Sequence, residues 1–149
     1  MQRELLEKDA ILLQQDAASW EDAIKKAGQL LIDTGKIRES YIEATIRNIH
    51  ELGPYILIAP NVALPHSRPE DGVLEQGISV LTLRKSVEFD SEKPFQLVIC
   101  LAAVDENLHI EMLQKIAEVI ADEALVNKLL SSTSVDEVYK MFNGGGELN

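Results

Sequence analysis

The ten residues 95–104, FQLVICLAAV, carry no charge and a single side-chain amide. A strand with one face in water alternates apolar and polar side chains, because successive residues point to opposite faces. This run barely alternates, so it reads as a central strand buried on both sides. It is about half as long as the ~20 apolar residues that a membrane-spanning helix needs. A doubly buried strand dictates what surrounds it: one covering layer on each face, with the sheet between them.

The flanking sequence supplies helices for both layers. Ser19-Trp-Glu-Asp22 has the form of a capping box. Trp20, Ala23, Ile24, Ala27, Leu30 and Leu31 follow at helical spacing until Thr34-Gly35. A second helix is predicted from about Glu39, with Ile42, Ile46 and Ile49 on its buried stripe and Gly53-Pro54 as its stop. Short β-rich runs follow at 55–59, 62–64 and 78–83, and 11–14 reads as an edge strand. Beyond Asp105-Glu-Asn107 the spacing is helical again from Leu108, with Asn107 as the expected N-cap. Residues 122–131 and 134–142 read as two further short helices, and 143–149 as a flexible tail. The expected fold is a three-layer α/β/α sandwich in one domain spanning 1–149, with its core at about 11–142. Strand order is not legible in such a pattern.

Charge narrows the function. With 25 acidic and 14 basic residues the net charge is −11. Such a surface repels phosphate backbones, which argues against nucleic acid, and suits a protein partner with a basic patch. There is no apolar run of membrane-spanning length, and the first residues lack a signal-peptide core, so a cytoplasmic protein without direct membrane insertion is expected. The single cysteine, Cys100, excludes an intrachain disulfide and any multi-cysteine metal site, and its place inside the apolar run makes it a small core residue.

The three histidines differ in setting. His66 follows Pro65 at the end of a strand, with Arg68 two residues on and Pro69 after that. Strand-to-loop junctions are common sites for reactive groups, and a guanidinium there would bind phosphate in bidentate fashion. The plainer alternative is a surface histidine beside a solvated arginine. His109 falls in the first turn of a helix, where backbone N–H groups and the helix dipole attract anions. His50 lies on a polar helix stripe with Glu43 and Arg47 and reads as solvated. A zinc hydrolase would need a third ligand, for which Asp105 or Glu106 is available, yet no His-x-x-x-His or His-Glu-x-x-His helix is present. Nucleophile-elbow, Walker-A and Gly-x-Gly-x-x-Gly motifs are also absent. Phosphoryl transfer through histidine remains, since a neutral imidazole is a competent nucleophile and arginine and helix amides would stabilise the transferring group.

These residues resemble a known family. Ala63-Leu-Pro-His66, followed downstream by Asp105-Glu-Asn-Leu-His109, is similar to the active-site pattern of the type 2 IIA domains of the bacterial phosphoenolpyruvate-dependent sugar phosphotransferase system, the mannitol–fructose class. Gly53-Pro-Tyr55 and the segment PHSRPEDGV at 65–73 resemble its ascorbate-specific branch, with Ser67 in a position usually held by glycine in mannitol-type members. The resemblance implies a central mixed sheet of about five strands between helical layers. It implies that His66 is phosphorylated through Nε2 by the phosphocarrier protein HPr and passes the group to a cysteine of EIIB, which serves the membrane component EIIC. His109 would steady the phosphoryl group, Arg68 would bind it, and Arg47 would stand where mannitol-type domains carry a helix arginine. No metal or cofactor is implied, and the sugar would be L-ascorbate. Two further expectations follow for the site: Nδ1–H of His66 tied to a backbone carbonyl, and a shallow pocket with few water-activating carboxylates, ringed by an apolar collar that includes Val62 and the neighbours of Leu64, with acidic residues outside it. The rival readings are a regulatory module whose phosphorylation state is read by another protein, and a metal-dependent hydrolase built on His66, His109 and Asp105.

Overall fold

The computed structural model describes residues 6–89 and 93–143. In chain order the elements are β1 (Leu6–Gln15), α1 (Trp20–Asp33), α2 (Glu39–Leu52), β2 (Leu57–Ala59), β3 (Asn61–Ala63), a 3-10 turn (Pro69–Asp71), β4 (Gly77–Glu88), β5 (Pro94–Ala102), α3 (Glu106–Ile120), α4 (Glu123–Ser131) and α5 (Val135–Asn143). The strands form one sheet in the order β1-β4-β5-β3-β2. It is mixed: β1–β4 and β3–β5 are parallel, whereas β4–β5 and β2–β3 are antiparallel.

The uncharged run takes the middle place as β5, but the strand stops at Ala102, two residues short of the expected end, and Val104 beyond it is exposed. Leu97, Ile99 and Leu101 face Met112, Ile116, Val126, Leu129, Val138 and Phe142 from α3, α4 and α5. Val98, Cys100 and Ala102 face Ala23, Ile24, Ala27 and Leu31 of α1 and Tyr41, Ile42 and Ile49 of α2. The three-layer α/β/α sandwich with a five-stranded mixed sheet is therefore present, and the absence of alternation in the sequence is the imprint of two cores sharing one strand. Cys100 is fully buried, and that burial pushes its thiol up to about 12.

Local signals set most boundaries. Ser19 caps α1 by accepting from the Asp22 N–H, and the Asp22 carboxylate accepts in return from Ala18 N–H rather than from Ser19 itself. Gly53, at φ 90°, closes α2 in a conformation that glycine adopts without a Cβ clash. Two expectations are corrected. The cap of α3 is Asp105, not Asn107: Asp105 has an extended backbone and its Oδ1 accepts from Leu108 N–H at 2.8 Å, so the helix begins at Glu106. Asn143 is not tail but the last residue of α5, where its amide exchanges hydrogen bonds with the Leu6 backbone N–H and C=O. Residues 1–5 and 144–149, on which the readings of the N-terminus and the rest of the tail fell, lie outside the described residues. Among the described residues no helix is long and apolar enough to cross a membrane.

What places the site is the parallel pairing of β3 with β5. Their C-terminal ends reach the same rim of the sheet, and Leu101 N–H donates to Pro65 O at 3.0 Å beyond the end of β3. The chain leaving β3 toward His66 and the chain leaving β5 toward α3 therefore emerge side by side. Crevices outside the carboxyl ends of strands are where α/β sheets hold their ligands.

Candidate functional site

An open pocket of about 630 Å3 lies on that rim, with His66, Ser67 and Arg68 on one side and Asp105, Glu106 and His109 on the other. Leu52, Tyr55, Asn48 and Ala103 complete its walls. The imidazole rings of His66 and His109 stand with centroids 5.4 Å apart and planes inclined at 53°. The two histidines that the sequence singled out share one hollow.

His66 is held in a single protonation form by its own strand end. Nδ1 lies 2.7 Å from Leu64 O, and a carbonyl can only accept, so Nδ1 carries the hydrogen and Nε2 keeps its lone pair. Burial, together with the neighbouring His109, lowers the His66 pKa despite the opposing bond to Leu64. The ring is thus neutral at neutral pH. Tyr55 supports it twice: its ring lies edge-on to the imidazole at 5.2 Å and 84°, and its hydroxyl donates to His66 O at 2.6 Å. Tyr41, from the first turn of α2, reaches the next residue. Its hydroxyl accepts from Ser67 N–H at 2.9 Å and donates to Leu101 O at 2.7 Å, tying the His66 loop to β5. Burial raises the pKa of both phenols, so both keep their donor hydrogens.

The second wall departs from expectation. His109 is the fourth residue of α3, and its own N–H is already spent on Asp105 O at 3.0 Å. The Leu108 N–H is taken by the Asp105 carboxylate. A ligand at this helix end can therefore use the amides of Glu106 and Asn107 and the His109 ring, and it meets two carboxylates, Asp105 and Glu106, where few were expected.

Arg68 lies on the rim, three-quarters exposed, with Nε 3.8 Å from Glu70 and 3.9 Å from Asp71. Arg47 is exposed on α2 and does not line the pocket; the adjacent Asn48 does. Val62 and both neighbours of Leu64, Ala63 and Pro65, are buried, so they form no collar. The apolar surface beside the histidines comes instead from Leu52, which is 74% exposed, and from Val104 and Ile110 next in sequence to Ala103 and His109. His50 is outside the pocket, exposed, with Nε2 2.8 Å from Glu21 Oε2 and its ring against Trp20. Among the described residues no three His, Cys, Asp or Glu side chains gather as a metal site requires.

Sequence reasoning missed Tyr41, Asn48, Tyr55 and Asp71. Tyr41 had a faint signal, because Tyr41, Thr45 and Ile49 form an i, i+4, i+8 buried row on α2. Asn48 and Tyr55 carry none, since their roles depend on contacts with a loop 19 and 11 residues away, and Asp71 acts within that loop, on Ser67 and Arg68, in a turn whose shape the sequence does not show.

Residues 4–144 match the family described as phosphoenolpyruvate-dependent sugar phosphotransferase system, EIIA 2. The chain is 36% identical over 142 residues to the ascorbate-specific PTS system EIIA component of Salmonella choleraesuis (strain SC-B67), covering 93% of this chain and 92% of that protein. Among solved structures it is similar to a PTS IIA (PtxA) from Streptococcus mutans, with a TM-score of 0.87 at 30% identity over 91% of this chain and 88% of that one. It is also similar to a chain in the complex of enzyme IIAMTL and phosphorylated enzyme IIBMTL from Escherichia coli, with a TM-score of 0.81 at 30% identity over 92% and 96%. With its sheet order, its paired histidines and a match running along nearly its whole length, the chain belongs to the EIIA 2 family of the phosphoenolpyruvate-dependent sugar phosphotransferase system.

Proposed function

We propose that this protein is a cytoplasmic phosphoryl carrier, a single domain over 1–149 whose His66 accepts a phosphoryl group from phosphorylated HPr and hands it to a cysteine of EIIB. The observation that carries the reading is the bond from His66 Nδ1 to Leu64 O, which leaves Nε2 as the nucleophilic atom in a pocket shared with His109. In charging, the Nε2 lone pair forms the new N–P bond while the donor's N–P bond breaks and the donor nitrogen regains its electron pair. No proton has to leave the ring. The imidazole gains positive character as it takes the group, and Nδ1–H then becomes a stronger, charge-assisted donor to Leu64 O. In onward transfer the partner's thiolate forms an S–P bond and Nε2 recovers its pair.

His109 stands close enough to donate to the phosphoryl oxygens in transit, and Arg68 can swing from its loose carboxylate contacts to do the same. Arg47 contributes at most through the field at the pocket's edge. Both partners must reach one histidine, so they use the same face in turn, docking on Leu52, Val104 and Ile110. The net charge of −11 speeds encounter with a basic HPr face. A partner of the EIIB kind is supported by the structural likeness to the IIA chain of the mannitol complex, and L-ascorbate as the sugar delivered through EIIC is supported by the name of the similar Salmonella protein.

The test uses labelled phospho-HPr. Wild-type protein takes up one phosphoryl group, His66→Ala none, and charged wild-type protein passes its label to a cysteine of ascorbate-type EIIB. Uptake by His66→Ala refutes the assignment, and charging without any transfer to EIIB moves the reading to a regulatory module.

A further inference from the structure

The backbone around His66 is held by hydrogen bonds at three successive residues. Pro65 O accepts from Leu101 N–H, His66 O from the Tyr55 hydroxyl, and the Ser67 N–H donates to Tyr41. A fourth restraint acts through a side chain. The Ser67 hydroxyl lies between Asn48 Nδ2, at 3.3 Å, and Asp71 Oδ2, and Asp71 Oδ2 also accepts from Arg68 N–H at 3.2 Å. The direction of this chain is fixed by what each member can do. An ionised Asp71 can only accept, so the one hydroxyl hydrogen of Ser67 points to it. Ser67 Oγ must then accept, which requires the NH2 end of Asn48 to face it. Its bond to Ser67 holds the Asp71 carboxyl below the usual carboxylate range, in keeping with that order.

Both ends of the chain are anchored on α2. Asn48 is a residue of its last two turns, and the Asp71 backbone carbonyl accepts from Ser40 Oγ, at its start, at 2.8 Å. Asn48 also lines the pocket and lies beside the Tyr55 hydroxyl that holds His66 O. The segment 66–68 is thus pinned to a rigid helix at the residue immediately after His66.

Resting on the reading of His66 as the acceptor, we propose that Asn48 and Asp71 are positioning residues acting through the Ser67 hydroxyl. They hold the His66 imidazole in its Leu64-bonded orientation and fix the Arg68 backbone, from which its side chain swings, as the phosphoryl group arrives and leaves. Neither touches the reacting atoms. Asn48 cannot be replaced by its isostere aspartate, because two carboxylates would then face a hydroxyl with one hydrogen, and a new negative charge would stand in the wall the phosphoryl group enters.

The test pairs charging by labelled phospho-HPr with 15N spectra of the histidine rings in the full chain. Asn48→Ala is expected to slow charging about 5- to 10-fold, the worth of one neutral hydrogen bond, and Ser67→Ala, which also loses the bond to the Asp71 carboxylate, by at least about as much. The double variant should lose far less than the product of the two, since both cut the same chain. Asn48→Asp should lose at least about a further tenfold, as like charges are brought together. In the ring spectra the wild-type His66 shows Nδ1 protonated; Asn48→Ala, Ser67→Ala and Asp71→Ala shift it toward a tautomer mixture, whereas Asp71→Asn, which keeps an acceptor oxygen, restores the wild-type signature. Unchanged charging in both single variants, a double variant whose loss is the product of the two, or an unmoved His66 ring in Asp71→Ala overturns the proposal. A wild-type chain that takes no label defeats the acceptor reading instead, and the ring spectra still decide the positioning role.

Discussion

Tyr41→Phe removes one oxygen from the interior and leaves the rest of the ring in place. Tyr41 is 1% exposed and its ring packs in the core between α1, α2 and the sheet, so the substitution creates almost no cavity. The cost lies in the two groups the oxygen serves. Leu101 O loses its donor at 2.7 Å, and Ser67 N–H loses its acceptor at 2.9 Å. A buried polar group left unpaired costs about 1–3 kcal/mol. Leu101 is fully buried, whereas Ser67 is half-exposed and can turn its N–H to water, which holds the sum near the lower end, about 2–3 kcal/mol. For a chain of 149 residues each kcal/mol moves the midpoint by roughly 2–4 °C, so Tm should fall by about 5–10 °C. The assay is urea unfolding followed by far-UV circular dichroism, read as a lower midpoint at unchanged m-value, with thermal unfolding alongside. Because the lost bonds tie the His66 loop to β5, charging by phospho-HPr should slow under conditions where the variant is still fully folded. A variant within about 0.5 kcal/mol of wild type, charging at the wild-type rate, would show that the phenol is not the link described here.

Three other outcomes are expected. His66 has its pKa lowered in the folded state, so its neutral form and the stability tied to it are fully present above pH 6.5 and are lost as acid carries the pH down through the folded value; the charging rate should be flat above neutrality and fall only below 6.5, and a midpoint above 6.5 would contradict the burial argument. His109→Ala should slow transfer by roughly 2.7–4 kcal/mol, about a hundred- to a thousandfold, while His66 still becomes labelled at the end point; labelling that vanishes altogether would make His109 an acceptor. Cys100, fully buried with its thiol pushed up to about 12, should resist a thiol-modifying reagent in native buffer and react once the chain is unfolded; prompt native reaction would refute its place in the shared core strand.

Much of this structure is legible in the chain because single features carry it. The uncharged run that became β5 forced two covering layers, and caps such as Ser19 and Gly53 set helix ends by local chemistry alone. Other features are invisible for equally physical reasons. Among the described residues β1 runs from Leu6, but Glu7, Lys8 and Asp9 hide it; an edge strand can carry charge, and Glu7 is matched by Lys36, 2.7 Å away, a tertiary pairing that no local pattern shows. β4 runs on to Glu88 through exposed Arg84, Lys85 and Ser86, which read as loop. Asp105 and Asn107 can both cap a helix, and only the extended backbone at Asp105 decides between them. At the site, His66 and His109 were readable because histidines at strand and helix ends are scarce and chemically pointed. Asn48, Tyr55 and Asp71 were not, because what gives them a role is the fold of a loop around α2.

The central claim is that Nε2 of His66 is the atom that takes the phosphoryl group. The most direct measurement is 15N and 31P NMR of the chain after charging with phospho-HPr, which reports which ring nitrogen carries phosphorus. The account predicts one modified ring, His66, bonded at Nε2 with its Nδ1 hydrogen still on Leu64 O. Phosphorus on Nδ1 of that ring, or on His109 or His50, would contradict it.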